Sequence, residues 1–339
     1  MRRLPAEWEE QDGVLLAWPH ENTDWAPQLS RVEPVFARII AAISRFERVL
    51  LLTEKVEHVK EALAREGGLL ERITFAPVAT NDTWARDFGP ITVYDDNRPL
   101  HLDFSFNGWG LKFPANLDNV INRRLAGDGF FNGRIVTPPM IFEGGSVESD
   151  GKGTLLVTSN CLLEANRNPH LTKDEIDALL CEHLGASHIL WLDHGHLVGD
   201  DTSSHIDTLA RLCPEDTITY VACNDPTDEH FQELSAMKQQ LEGLRSLSGQ
   251  PFRLIPLPFP SPCLDCEGNR LPATYANFLI INGAVLLPVY NDPSDISAID
   301  ALQSAFPEHE IIGIDCSSII TQGGSLHCLT MQLPKGAMK

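Results

Sequence analysis

The chain has 339 residues, a hydrophobic content of 43% and a formal net charge of −21 at pH 7. The apolar share excludes an intrinsically disordered chain, and the length provides for a large core, built as two domains or as one repetitive architecture. The acidity excludes a nucleic-acid-binding surface, which has to be basic, and its long-range field favours small cationic ligands.

The N-terminus, MRRLPAEWEEQDG, carries two arginines but no apolar stretch, so no signal peptide is expected. One pattern then recurs: an apolar strand, a polar loop, a helical segment and another apolar strand. Strand GVLLAW opens it, helix 34–46 follows and strand 48–53 completes it, with helix 56–68 and strand 72–78 behind. It returns in the strand and polar loop of 154–169, helix 173–185 and strand 188–192, and again in the strand and polar loop of 217–231, a helix ending near Leu244 and strand 251–259. A last copy runs through strand 283–290, helix 296–306 and strand 310–316. In that helix Ile296, Ile299, Leu302 and Phe306 recur at three- and four-residue steps. Gly185 and the Gly67–Gly68 pair sit where helix C-caps are common. The most apolar stretch, 275–290, is broken by Asn277, Asn282, Gly283 and Pro288, so it reads as buried strands joined by a turn and not as a membrane span. Such repetition predicts α/β modules arranged round an axis, against the alternative of a doubly wound sheet. No interdomain linker interrupts it, so residues 1–339 are read as a single domain.

Of eight cysteines, only Cys263 and Cys266 form a CxxC, and no second ligand pair at zinc spacing accompanies them. The cysteines other than Cys328 are read as reduced thiols of a cytoplasmic protein. Four polar clusters break the scaffold: NDTWARDFGP with Asp87, FEGGSVESDGKG with Glu143, GDDTSSHIDTLARL with Asp201, His205 and Asp207, and TQGGSLHCLTMQLP with Cys328. Each has an ordinary structural reading, as a capped turn, a hairpin, a helix start or a buried thiol. Together they supply what a guanidinium substrate requires. Paired carboxylates grip a planar, permanently charged group. A thiolate attacks its electron-poor carbon, helped by the adjacent cation. A histidine protonates departing ammonia and then activates water. His205 and Asp207, two residues apart, would share one side of an extended backbone, and Gly323–Gly324 would allow a close backbone approach before Cys328. Two other classes stay open: a metal hydrolase using His194, His196, His205 and the neighbouring aspartates, and a non-catalytic polyamine-binding protein.

In this order the motifs resemble the agmatine deiminase family, grouped with bacterial peptidyl-arginine deiminases, over almost the whole chain. The resemblance implies a five-module β/α propeller with pseudo-fivefold symmetry, the pentein fold, and an active site in its central channel. It implies a metal- and cofactor-free reaction through a covalent amidino-cysteine on Cys328. His205 would be the general acid/base, Asp87 and Asp207 would bind the guanidinium, and Glu143 would support the histidine or the substrate. Trp84, Trp109 and Asp201 would shape the substrate channel. The motifs depart from the usual pattern at Gln322, at Ser203–Ser204 and at Thr208. The expected activity is hydrolysis of agmatine to N-carbamoylputrescine and ammonia, with peptidyl or free arginine as the alternative substrate and Lys112 or Arg86 as partner for its carboxylate. The expected partner is a small cationic guanidine, with no nucleic acid and no membrane; a homo-oligomer is compatible with the sequence.

Overall fold

A computed structural model describes residues 2–339, which form five small mixed sheets. Each sheet repeats one plan. A short inner strand pairs antiparallel with a middle strand, and a helical crossover returns the chain to an outer strand parallel to the middle one. The inner, middle and outer strands are Ile91–Asp95, Arg98–Leu102 and Arg134–Val136 in the first sheet. They are Val147–Ser149, Thr154–Thr158 and His188–Leu192 in the second. In the third they are Ala210–Cys213, Thr217–Val221 and Arg253–Leu257. In the fourth they are Leu279–Ile281, Ala284–Val289 and Glu310–Asp315. The fifth joins the chain ends: Thr330–Pro334 pairs antiparallel with Gln11–Ala17, which lies parallel to Arg48–Leu52 and, beyond it, Ile73–Ala76.

The local sequence explains these elements. Val14–Ala17 and Val49–Leu52 are at most 1% exposed. Strands covered on both faces become continuous apolar runs instead of alternating ones. Helix Leu29–Ser44 covers this sheet with Val32, Val35, Phe36, Ile39, Ile40 and Ile43, a stripe of three- and one-residue steps. Burying one such large side chain contributes about 2–3 kcal/mol. Helix Lys173–Leu184 is held by a Thr172–Glu175 capping box and ends at Gly185, whose φ of 73° is the left-handed conformation that glycine adopts freely. The last helix runs Ser294–Ala305 and presents Ala298, Leu302 and Ala305 to the core. Ile296, expected on that face, is 70% exposed, because its position in the first turn places it on the solvent side. Among the described residues no helix is long and apolar enough to cross a membrane.

Candidate active site

The repeat positions the chemistry. Asp87, Glu143, His205 with Asp207, Asn277 and Cys328 lie in the five loops that lead into the five inner strands, two to five residues upstream of each. Equivalent loops of a closed ring converge on its axis, so residues far apart in sequence meet there.

Cys328 is 4% exposed, and its Sγ lies 3.2 Å from Asn277 Nδ2, which donates to it, and 3.7 Å from Asp207 Oδ2. The other oxygen of that carboxylate, Oδ1, is buried without a hydrogen-bond partner. His205 Nε2 meets Glu143 Oε2 at 2.7 Å, while its Nδ1, buried and unpartnered, faces Asp87 Oδ1 at 3.6 Å. Asp87 accepts from Trp109 Nε1 and from the backbone N–H of Gly145, both at 2.9 Å. Glu143 is fixed by Arg167, whose Nε and Nη2 donate to it at 2.7–3.1 Å and whose Nη2 also reaches the Thr202 carbonyl. The floor thus presents a thiol, two carboxylates and a ring nitrogen with unused hydrogen-bonding capacity.

Residues 3–334 match the sequence profile of the Porphyromonas-type peptidyl-arginine deiminases. The chain belongs to that family. It is 32% identical to the agmatine deiminase of Pseudomonas aeruginosa (strain LESB58) over 98% of this chain and 95% of that one. Among solved structures, a candidate arginine deiminase from Porphyromonas gingivalis is 48% identical, with a TM-score of 0.95 over the whole of both chains. The C. jejuni agmatine deiminase, solved as a cysteine-to-serine variant with substrate bound, is 40% identical with a TM-score of 0.92, covering 100% of this chain and 98% of that one. The five-sheet ring is the pentein fold of the guanidine-modifying enzymes.

In this peptidyl-arginine-deiminase-family site, burial sets the charges and neighbours redistribute them. Burial and the Asp207 and Asp87 carboxylates push the Cys328 thiol well above its ordinary range. For His205 burial pulls the pKa down, but Asp87, Cys161 and Glu143 outweigh it and hold the ring protonated well above the usual histidine range. Asp87 is pushed up to about 6 by burial, against the opposing charge of His205 and with the help of Glu143 and Asp207. Burial also acts on Asp207, but the hydrogen bond and charge of His327 outweigh it and hold this carboxyl below its ordinary value.

Above the floor is a cavity of about 280 Å³ lined by Cys328, Asp87, Trp84, Trp109 and Phe113, with Asp24, Asp82 and Asp201 at its wall and mouth. Trp84 packs tilted against Trp25 with centroids 5.7 Å apart, and a Cβ on Gly324 would lie 2.4 Å from its ring, so Gly324 is what lets this segment pass. The eight residues that the family resemblance implied for the site are therefore gathered: five line the cavity, and Glu143, His205 and Asp207 stand behind it. Glu143 is 1% exposed, buried where a hairpin would have left it in solvent. His205 and Asp207 do not share an extended strand, because a 3-10 turn spans Ile206–Thr208, with Ser203 and Ser204 in the left-handed region just before it (φ 70° and 65°). Lys112 reaches the mouth, donating to the Asp201 carbonyl, whereas Arg86 lies beneath the floor, bonded to Gln332, and cannot meet a substrate carboxylate. His194 pairs with Glu233 at 3.7 Å, away from the cavity. The close His, Cys and acid groups are instead Glu143–Cys161–His205 and Glu7–Glu148–His327, whose carboxylates are engaged by Arg167 and Arg211.

Sequence reasoning missed Asn277, Arg167, His327, Glu7, Arg211 and Cys161. One signal was present for Asn277, an amide near the start of an apolar run, at the position where the fourth module owes the site a residue.

Buried carboxyls in and beyond the site also predict a pH effect on stability. Burial pushes Asp82 up to about 6, with Asp24 adding to it, and burial pushes Glu47 and Asp118 up to about 7. The fold therefore keeps protons that the unfolded chain has lost, so stability falls as pH rises from about 4 through 7. The Tm of the ligand-free protein is expected to be lower at pH 8 than at pH 5.5 by about 5 °C or more, measured by calorimetry.

Proposed function

We propose that this chain is a guanidine-hydrolysing enzyme, a C–N hydrolase that deiminates agmatine to N-carbamoylputrescine and ammonia, and that residues 1–339 are one catalytic domain. The observation that carries this is the gathering of Cys328 and Asp87 in the lining of one acidic cavity, with His205 and Asp207 directly behind them. Relatives named agmatine deiminase support the substrate. So does the mouth, where Asp24, Asp82 and Asp201 suit a terminal ammonium and repel the carboxylate of free arginine. Eight free thiols support a reducing, cytoplasmic setting.

In this reading the guanidinium seats between Asp87 and Asp207, and its charge offsets the repulsion that keeps Cys328 protonated. The Cys328 proton leaves to solvent as the cation seats, and the thiolate adds to the guanidinium carbon. The His205 imidazolium passes its Nδ1 proton to one nitrogen, and ammonia leaves. An amidino-thioether remains on Cys328. Neutral His205 then takes a proton from water, the hydroxide adds to the same carbon, and the C–S bond breaks as the adduct's hydroxyl proton passes to the departing sulfur, leaving the carbamoyl product and the Cys328 thiol. Glu143 and Arg167 hold the ring in place throughout.

Lys112 at the mouth favours a second substrate, peptidyl arginine, because an ammonium there can meet a backbone carbonyl. The test is ammonia release from the purified protein with agmatine, arginine and a blocked arginine peptide in parallel. Agmatine is expected to exceed both others in kcat/KM by at least about 100-fold. Turnover of the peptide alone would move the substrate assignment, and silence on all three would overturn the proposal.

A further inference from the structure

Behind the nucleophile lies a buried polar chain that the reaction steps above do not use. His327 is 1% exposed. Its Nδ1 is 2.7 Å from Asp207 Oδ2, and its Nε2 is 2.8 Å from Glu7 Oε2. The ring thus bridges the two acids, and Arg211 Nη2 lies 3.1 Å from the same Nε2. Glu7 is anchored in turn, accepting from Arg211 Nη2 at 2.8 Å and from the Ile280 backbone N–H at 2.7 Å. Arg211, 0% exposed, lies over the Phe278 ring and donates to Glu148 at 2.6 Å. The backbone N–H of His327 is held by the Asn277 side chain at 3.0 Å, and the same amide donates to Cys328 Sγ.

Resting on the guanidine-hydrolase reading, we propose that His327 is a positioning residue for the reaction: a strut from Glu7 and Arg211 that fixes the carboxylate of Asp207. Three observations favour this over simple packing. The bond to His327 uses only Oδ2, which leaves Oδ1 the unpartnered oxygen available to a guanidinium. The bonded oxygen is also the one that faces Cys328 Sγ, so turning the carboxylate would move the substrate's partner and the nucleophile's neighbour together. The strut starts at residue 7, outside the five inner loops, and reaches the axis to hold what those loops present.

Two amides separate the halves of this bridge. In His327→Asn the amide nitrogen stands near the place of Nδ1 and keeps the bond to Asp207. In His327→Gln it stands near the place of Nε2 and keeps only the bond to Glu7. The expected result is a kcat/KM of His327→Asn within about tenfold of wild type and a loss of about 1000-fold in His327→Gln, mostly in kcat. The acid limb of kcat/KM gives a second readout. Asp207 faces His327 and Cys328 from the C-terminal turn, His205 on its own turn, Arg86 and Asp87 from the Ala85–Phe88 turn, and Arg211 from the third inner strand. Both amides lose the ring's charge and only Gln also loses the donor to Asp207, so the acid limb moves to higher pH further in His327→Gln than in His327→Asn. Equal losses in the two variants, with the limb in the same place in both, would reduce His327 to packing and overturn the inference. Should neither variant fold, Glu7→Gln decides: a roughly tenfold loss in kcat/KM with the acid limb moved up supports the strut, and an unchanged profile overturns it. Wild-type protein inactive on every guanidine would instead sink the reading on which the inference rests.

Discussion

Cys328→Ala is expected to lower kcat for guanidine hydrolysis by at least about 10,000-fold while the Kd for the guanidine stays within about tenfold. In the proposed reading binding rests on Asp87, Asp207 and the acidic mouth, which the substitution leaves in place. Removing the thiol also removes a group that the two carboxylates disfavour as an anion, so the variant can bind the cation as well as wild type does. The same electrostatics predict that the free enzyme's thiol reacts slowly with iodoacetamide near pH 7, because its anion is scarce until a cation lies beside it. Calorimetry with the variant gives Kd, and ammonia release gives kcat. A variant that binds and turns over at a wild-type rate would remove Cys328 from the chemistry. One that neither binds nor turns over would place Cys328 in the binding site instead.

How much of this site could be read from the chain depended on distance along it. The strand and helix alternation is local, and its strands lie where the apolar runs put them: 48–52, 188–192, 217–221 and 310–315. Asp87, Glu143, His205, Asp207 and Cys328 stood out because each is a chemically able residue in a polar loop between apolar strands. Their neighbours did not. Glu7 and His327 are 320 residues apart, and Arg211 and Glu7 are 204 apart. Nothing in the LPAEWEE or TLARLCP segments distinguishes a buried charge from a surface one, since composition carries no burial. Arg167 was in view within the motif that ends LLEANRNP, but its bond to Glu143 needs two loops folded together. The helix 294–305 erred for a related reason: its Ile296 fits a periodic stripe, yet the sequence does not say where that stripe meets the sheet.

Gly145→Ala tests the same geometry without removing a single reacting group. Gly145 lies in a 3-10 turn between Glu143 and the second inner strand, and its N–H donates to Asp87. A Cβ there would lie 2.5 Å from His205 Nδ1, 2.9 Å from Asp87 Oδ1 and 3.2 Å from Asp207 Oδ2. Its φ is not positive, so alanine is permitted by the backbone and excluded only by the space. The three groups it would meet are the proposed general acid and the two proposed guanidinium partners, held from behind by Glu143, by Trp109 and by His327 respectively. None can retreat without breaking a buried hydrogen bond. Misplacing reacting groups by about 1 Å costs about 100-fold, and displacing several together compounds it, so kcat/KM is expected to fall by about 1000-fold or more. Stability is expected to fall by only about 1–3 kcal/mol, the range for overpacking a buried site. Gly127→Ala is the control: its Cβ would meet nothing within 4 Å at the end of helix Ile121–Gly127, so activity stays at the wild-type level and the Tm holds or rises slightly. A Gly145→Ala enzyme within about threefold of wild type would show that the cluster tolerates displacement, and the requirement for a side-chain-free residue at its centre would fall.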